Sequence, residues 1–274
     1  MFFNIGFIIA CLIYHSTYGL PDPQIIGGTE APEGLYPYQV SLKRISTRAH
    51  FCGGAIVSKN FILTAAHCFD NFDEHNGYKD ILIGVGSNSL DHPGAIYAAS
   101  WFMKHHKYNK TLHVNDIALL HTRKYITFSS TIQPIELINY NHNLDNTFLV
   151  ASGWGRLWNK GPIPNRLQHI VVMKVPQRQC RTYFGNITDG QLCAYQGWGK
   201  GMCNGDSGGP LVFDNKLVGL VSYGVPCGKG IPDVYTRVYT YKSWVDQYIN
   251  AGSIQQSNVI LGFIMTYLCI QSFL

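Results

Sequence analysis

Short runs of β-branched and aromatic residues recur between residues 36 and 240, and turn-forming residues separate them about every ten positions. Asp214 and Asn215 stand between two apolar runs and predict a hairpin turn. This spacing predicts an all-β sandwich or barrel. Clear runs of this kind lie at residues 38–42, 81–85, 167–175 and 217–223.

One helical pattern stands out near the end of the chain. Trp244, Val245 and Tyr248 are spaced to face one side of a helix. No internal repeat or low-complexity linker is visible in the sequence before it. The pattern therefore predicts a mainly β-structured protein that ends with a helix.

The first 19 residues have the character of a secretory signal. Residues 2–14 are mostly apolar and residues 16–19 are small or polar, which predicts cleavage after Gly19. A run of about 13 residues is too short to span a bilayer. No Lys or Arg precedes it, which is unusual for a signal, and the alternative is a buried helix or strand.

The tail at 251–274 changes character again. Residues 251–253 are small, residues 254–258 are mostly polar, and residues 259–274 are almost wholly apolar. This order is typical of a GPI-anchor signal and predicts a membrane tether, although the spacer is shorter than the usual length of about 8–12 residues. The alternatives are another membrane attachment and a helix that packs on the domain.

Composition favours a folded protein that is exported. With 46% hydrophobic and 14% charged residues in 274, the chain can bury a sizeable core. The net charge of +5 comes from scattered Lys and Arg residues, so nucleic acid is not an expected partner.

Outside the terminal segments six cysteines remain, and an even number predicts disulfides in an extracellular protein. The sequence has no CxxC pair or HExxH run that would indicate zinc.

Three separated segments carry residue types suited to nucleophilic catalysis. His67 ends the run Leu-Thr-Ala-Ala-His, Asp116 precedes Ile-Ala-Leu-Leu, and Ser207 lies within Gly-Asp-Ser-Gly-Gly-Pro. An isolated His or Asp in such a setting is commonly structural. Glycines that flank a serine are more specific, because they indicate a backbone turn that a side chain would block.

In the order His, Asp, Ser, these segments resemble the trypsin and chymotrypsin family of serine proteases. Segments near residues 36 and 161 look most like those of insect chymotrypsin-like proteases. The resemblance implies a peptidase domain at 25–250, built of two antiparallel six-stranded β-barrels (about 25–130 and 131–240) and a C-terminal helix. Four further motifs follow the family's order: Ile-Ile-Gly-Gly at 25–28, Cys-Gly-Gly at 52–54, Gly-Trp-Gly at 153–155 and Ser-Tyr-Gly at 222–224.

The resemblance implies a role for each residue of the site. A serine hydroxyl is a weak nucleophile, so His67 would take the proton of Ser207 and return it to the leaving amine. Asp116 would accept a hydrogen bond from the imidazole and stabilise its charged form. The backbone N–H groups of Gly205 and Ser207 would form the oxyanion hole.

By the same resemblance the chain is a zymogen with a propeptide at 20–24. Cleavage before Ile25 would create an ammonium group that pairs with Asp206 inside the protein, because an unpaired buried carboxylate is costly. Relatives usually carry Arg or Lys at the position of Gln24, and no Lys or Arg precedes Lys43. We therefore predict that trypsin does not activate the precursor.

The resemblance also implies the disulfide pairing, which sequence spacing alone does not decide. The expected pairs are Cys52–Cys68, Cys180–Cys193 and Cys203–Cys227. Two glycosylation sequons begin at Asn109 and Asn186. Unmodified polar loops are the alternative at both positions.

The expected specificity pocket combines two tendencies. Alignment to the family puts Gly201 at its floor, where trypsin-like enzymes carry Asp, and Gly224 at its mouth, which favours large apolar or aromatic substrate residues. Asp233 falls on the far wall, as in broad-specificity crustacean collagenolytic proteases, and would admit Lys or Arg; the alternative is that it binds only water or backbone. The other expected substrate-binding residues are Asn204, Ser222 and Tyr223.

The expected function is therefore an extracellular, chymotrypsin-like serine endopeptidase, with digestion as the default role. A catalytically inactive homologue that acts as a binding module is the alternative from another class, but such homologues usually lack a residue of the triad. Expected partners are protein or peptide substrates and protease inhibitors, and the chain is expected to be a monomer. No metal and no cofactor are expected, since the acidic residues at 70–80 do not match the family's calcium loop clearly.

Overall fold

The computed structural model of the protein describes residues 27–141, 143–225 and 227–250. The predicted signal, propeptide and tail lie outside these residues. No helix in the described ranges is long and apolar enough to cross a membrane.

The strands are β1 (Thr29–Glu30), β2 (Gln39–Arg44), β3 (His50–Ile56), β4 (Phe61–Thr64), β5 (Ile81–Val85), β6 (Ala95–Lys104), β7 (Ala118–Thr122), β8 (Glu136–Leu137), β9 (Phe148–Gly153), β10 (Gln168–Val175), β11 (Gln191–Tyr195), β12 (Pro210–Phe213), β13 (Lys216–Tyr223) and β14 (Asp233–Arg237). The helices are α1 (Gln177–Phe184), α2 (Val238–Ile249) and the short 3₁₀ helices Ala66–Phe69 and Gly77–Asp80.

The strand and hairpin predictions are confirmed. The four clear runs correspond to β2, β5, β10 and β13. Asp214 and Asn215 connect β12 to β13 with φ of 48° and 54°, as a tight hairpin between right-twisted strands requires. Helix α2 confirms the C-terminal helix, whereas α1 was not predicted. Cys180, Tyr183 and Phe184 have helical spacing there, but an eight-residue helix is shorter than the window of about 11–18 residues over which such a period stands out.

The first barrel closes in the order β2-β3-β4-β7-β6-β5. Alternate residues of its strands point inward, and Leu42, Ile56, Ile62 and Ile83 are fully buried there. Closure leaves no unpaired strand edge. Phe69, from the 3₁₀ helix after β4, also belongs to this core, which fixes the loop next to the cleft.

The second barrel closes through the antiparallel pairs β9–β10, β10–β11, β11–β14, β14–β13, β13–β12 and β12–β9. Its core includes Leu149, Ile170, Leu211 and the fully buried ring of Tyr235. Strand β1 adds to β10, and β8 pairs in parallel with β13. Two antiparallel six-stranded barrels are therefore confirmed.

A shared apolar layer holds the two barrels together. It contains Leu63 and Leu119 from the first barrel, Leu220 from the second, and Val245 from α2. All four are fully buried, and each such side chain contributes about 1.5–3 kcal/mol relative to exposure. Helix α2 thus fastens both barrels and fixes the cleft between them.

Candidate active site

A buried carboxylate and an imidazole meet at the cleft. His67 lies in the 3₁₀ helix that follows β4, and Asp116 lies just before β7 and is 1% exposed. Asp116 Oδ2 accepts from His67 Nδ1 at 2.7 Å, and Oδ1 accepts from the His67 backbone N–H at 2.9 Å. An ionised carboxylate only accepts, so the neutral imidazole carries its proton on Nδ1. His67 Nε2 is therefore the nitrogen with a lone pair.

The second barrel completes the surroundings of Asp116. Ser222 Oγ on β13 donates to Asp116 Oδ2 at 2.5 Å, and Thr236 Oγ1 on β14 donates to the Asp116 carbonyl at 2.6 Å. Ser222 was expected only to bind substrate, and nothing in the sequence indicated Thr236. These contacts join residues more than 100 positions apart in the chain.

The charges of this pair stabilise each other. Burial lowers the pKa of His67, but the hydrogen bond and charge of Asp116, together with the charge of Asp70, outweigh it and raise the pKa above its ordinary value. Burial acts to raise the pKa of Asp116, and the bonds from His67 and Ser222 and the charge on His67 reverse this and lower it. Asp116 is therefore ionised at neutral pH.

Ser207 lies in a turn that its glycine neighbours make feasible. Gly205 and Gly208 have φ of 106° and 74°, which other residues rarely adopt. A Cβ on Gly208 would also lie 2.0 Å from Thr64 Oγ1. The Gly53 N–H donates to the Ser207 carbonyl at 2.8 Å, which ties the turn of the second barrel to the first barrel.

Two backbone donors beside Ser207 are unused. Within the described ranges, neither the Gly205 N–H nor the Ser207 N–H donates a hydrogen bond to another protein group. His50 holds the same turn, because its Nε2 contacts the Gly205 carbonyl at 2.9 Å and its Nδ1 contacts Ser41 Oγ at 2.8 Å. Burial lowers the pKa of His50 to about 4, so the ring is neutral. Sequence reasoning missed His50, since an isolated His on a strand carries no signal.

Asp206 points away from this turn into the protein. It is fully buried and accepts from the Gly155 N–H at 2.7 Å and the Cys203 N–H at 2.9 Å. Burial raises the pKa of Asp206 to about 6, against the effect of these two bonds. Ile25, its expected partner, lies outside the described residues.

A cavity of about 170 Å³ opens beside Ser207. Five of the expected substrate-binding residues line it, together with Met202, Cys203 and Val221, which the sequence did not indicate. Gly201, expected at the floor, is not among the lining residues, although it lies behind Asp233. The expected residues in the lining are Asn204, Ser222, Tyr223, Gly224 and Asp233.

The carboxylate of Asp233 fills the space between two glycines. A Cβ on Gly201 would lie 2.7 Å from Asp233 Oδ2, and a Cβ on Gly224 would lie 2.5 Å from Oδ1. Asp233 is 7% exposed, and its Oδ2 accepts from the Met202 N–H at 2.8 Å. Burial, with the charge of Asp206 as a smaller cause, raises the pKa of Asp233 to about 7 despite this bond.

The three expected disulfides are present. Cys52–Cys68 lies next to His67, Cys203–Cys227 borders the cavity, and Cys180–Cys193 ties α1 to β11. A closed loop of about 15 residues contributes roughly 3 kcal/mol in the chain-entropy model. The sequon residues Asn109 and Asn186 are exposed, and their glycosylation stays a prediction.

Fold and site together have the form of a double-barrel serine protease. The Trypsin family profile matches residues 25–245. Chymotrypsin-2 of Vespa crabro is 42% identical over 223 residues, which cover 81% of this chain and 99% of the relative. Trypsin epsilon of Drosophila erecta is 38% identical (82% and 88% covered), and the vitellin-degrading protease of Bombyx mori is 36% identical (85% and 88% covered). The chain therefore belongs to the trypsin family of serine proteases, and membership implies protein or peptide substrates.

Proposed function

We propose that this protein is a serine endopeptidase that works through an acyl-enzyme, with His67, Asp116 and Ser207 as its catalytic residues. His67 Nε2 takes the Ser207 proton as Oγ attacks the substrate carbonyl, and then gives it to the leaving amine. In the second half of the reaction His67 takes a proton from a water molecule as the water oxygen attacks the ester carbonyl. The acid product then leaves, and His67 returns the proton to Ser207. The observation that carries the proposal is the pair of hydrogen bonds from His67 to the buried Asp116.

The oxyanion of each tetrahedral intermediate would be held by the N–H groups of Gly205 and Ser207. Their lack of protein partners within the described residues supports this role. Donors already aimed at the developing charge need no rearrangement during the reaction, and losing one typically costs about 3 kcal/mol of transition-state stabilisation. The His50 contact to the Gly205 carbonyl keeps this turn in place.

For specificity we propose a chymotrypsin-like preference for large apolar or aromatic residues before the cut bond. The open cavity beside Gly224 supports it. A second candidate is a broad specificity that includes Arg and Lys, and the Asp233 carboxylate in the cavity wall favours it. A carboxylate there can pair with a substrate cation, although its desolvation limits how much of it is ionised.

We also propose that the protein is extracellular and is made as a zymogen. Three disulfides support an oxidising compartment. The buried Asp206 has no cationic partner among the described residues and would be neutralised by the ammonium of Ile25 after cleavage. A digestive role is the default that this activity suggests.

The activity is tested with protein that begins at Ile25. A phosphonylating reagent should label Ser207 and abolish hydrolysis, and Ser207→Ala should remove both the label and the activity. Protein that folds but is neither labelled nor active would disprove the peptidase proposal.

Specificity is tested by initial rates on matched peptides with Phe, Leu, Arg or Ala before the cut bond. Dominant Phe and Leu rates would support the chymotrypsin-like preference. Arg rates comparable to those for Phe would favour the broad specificity.

A further inference from the structure

His113 lies directly beside His67, and none of the roles above uses it. The two rings are nearly perpendicular at 83°, with centroids 5.9 Å apart, and the Tyr223 ring also packs against His113, with centroids 5.1 Å apart. The backbone of His113 has φ of 47°, a conformation uncommon for a residue with a side chain. Its carbonyl accepts from Gln191 Nε2 at 3.1 Å, so the second barrel holds the backbone of His113 in place.

The ring of His113 has an unused polar atom. Its Nδ1 is buried and has no hydrogen-bond partner among the described residues. Buried polar atoms are nearly always paired, and an exception calls for an explanation such as an ion that completes the site. A neutral imidazole nitrogen is also the most common protein ligand for transition metals.

The neighbouring groups are close enough to share an ion. One ligand atom each from His67, His113 and Asp116 lie within 4.8 Å of one another. Zinc binds imidazole nitrogen at about 2.0–2.1 Å, which places two such ligands about 3.3 Å apart around a tetrahedral ion. Ligand atoms separated by up to 4.8 Å therefore need to approach each other by at most about 1.5 Å. Cys52 and Cys68 also lie near His67, but their disulfide removes them as thiolate ligands.

Asp116 already prepares His67 for this role. Metal-binding imidazoles usually donate their other N–H to a carboxylate, which fixes the tautomer and makes the ligand nitrogen more basic. His67 makes that bond from Nδ1 to Asp116 at 2.7 Å, which leaves the lone pair on Nε2. A set of nitrogen and oxygen ligands suits Zn²⁺ and Cu²⁺ better than Mg²⁺ or Ca²⁺.

We propose that His67 and His113 form an inhibitory site for a divalent transition-metal ion such as Zn²⁺, with Asp116 orienting His67. Two protein ligands leave the remaining positions to water, so binding is reversible. A metal on the His67 lone pair prevents it from taking the Ser207 proton. This inhibition rests on the proposed peptidase activity, whereas the metal site does not. The sequence indicated no metal here, because only the fold brings the two rings together.

Metal binding is measured first, by calorimetry with Zn²⁺ and by the visible spectrum of bound Co²⁺. The chain that begins at Ile25 is compared with His113→Gln and with His106→Gln. His106 provides the control because it is exposed and its ring stacks on that of His105 with centroids 4.5 Å apart, which is the second close histidine pair among the described residues. We expect His113→Gln to weaken Zn²⁺ binding at least about tenfold, since losing even an outer-shell partner typically costs about 10- to 100-fold. His106→Gln should bind like the parent.

Inhibition is measured next, by adding Zn²⁺ during hydrolysis of one peptide and normalising each variant to its own metal-free rate. The inhibition constant should rise at least about tenfold in His113→Gln and not in His106→Gln, and a chelator should restore the parent's rate.

Equal binding and inhibition in the parent and His113→Gln would overturn the proposal, as would binding that only His106→Gln weakens. If Zn²⁺ binding depends on His113 but no hydrolysis occurs, the metal site stands and the peptidase proposal fails.

Discussion

Two buried aspartates at the cleft differ in charge because of what surrounds them. Asp116 is 1% exposed and Asp233 is 7% exposed, so both lose most of their contact with water. Asp116 accepts from His67 Nδ1, the His67 N–H and Ser222 Oγ, and its pKa is lowered. Asp233 accepts from the Met202 N–H, and burial raises its pKa to about 7.

The number of donors, more than burial, therefore decides the state of each carboxylate. With its pKa lowered, Asp116 is charged at neutral pH and can orient the imidazole. Asp233 changes charge near neutrality, so the same pocket offers a neutral or an anionic wall. Two identical side chains can thus serve two functions within one site.

The largest expected effect comes from Asp116→Asn. The equivalent change in a trypsin-family enzyme lowers kcat about 10⁴-fold, because the amide favours the wrong imidazole tautomer, and we expect a loss of this order. The measurement is kcat on a Phe peptide, with the concentration of folded enzyme determined independently. Asp233→Asn is the matched control and should retain most of this activity. A loss below about tenfold in Asp116→Asn would argue against its orienting role.

Asp233→Gly should change specificity and not catalysis. If the carboxylate reaches substrate, hydrolysis of an Arg peptide falls about 10- to 100-fold relative to a Phe peptide, since a hydrogen bond to a charged group contributes about 1.5–3 kcal/mol. The kcat/KM values for the two peptides give this ratio. Asp233→Asn keeps the shape and removes only the charge, so it should lower the ratio too. An unchanged Arg rate in both variants would show that Asp233 does not contact the substrate.

The ratio of Arg to Phe cleavage should also depend on pH in the parent enzyme. Asp233 is mostly neutral below its pKa of about 7 and mostly anionic above it. The substrate Arg stays charged throughout, so the ratio should rise by up to about tenfold between about pH 6 and pH 8. The ratio cancels the titration of His67, which affects both peptides alike. Asp233→Asn should give a flat ratio, and a flat ratio in the parent would place the titration outside this range.

The smallest expected effect is that of Ser222→Ala. It removes one of the donors to Asp116 and leaves both bonds from His67. A hydrogen bond of this kind contributes about 0.5–1.5 kcal/mol, so we expect kcat to fall about 2- to 10-fold. Steady-state kinetics on the Phe peptide measures it. A loss as large as that of Asp116→Asn would mean that Ser222 is essential for holding the carboxylate.

The sequence by itself determined the all-β class, the four clearest strands (β2, β5, β10 and β13), the hairpin at Asp214 and Asn215, and the C-terminal helix. These features follow from local patterns of side chains, because strand and helix periodicities and tight turns are properties of neighbouring residues. The motifs around His67, Asp116 and Ser207 also identified the family. Helix α1 was not predicted because its eight residues span too few turns for a helical period to stand out.

Only the tertiary structure decided which of these side chains interact and how they are charged. Ser222 and Thr236 reach Asp116 across the barrel interface, His50 holds the turn at Gly205, and His113 lies against His67. Each contact but the last joins residues more than 100 positions apart, so no local pattern records it. The pKa of a carboxylate depends on its burial and on the donors that reach it, and both exist only once the two barrels have closed and packed together.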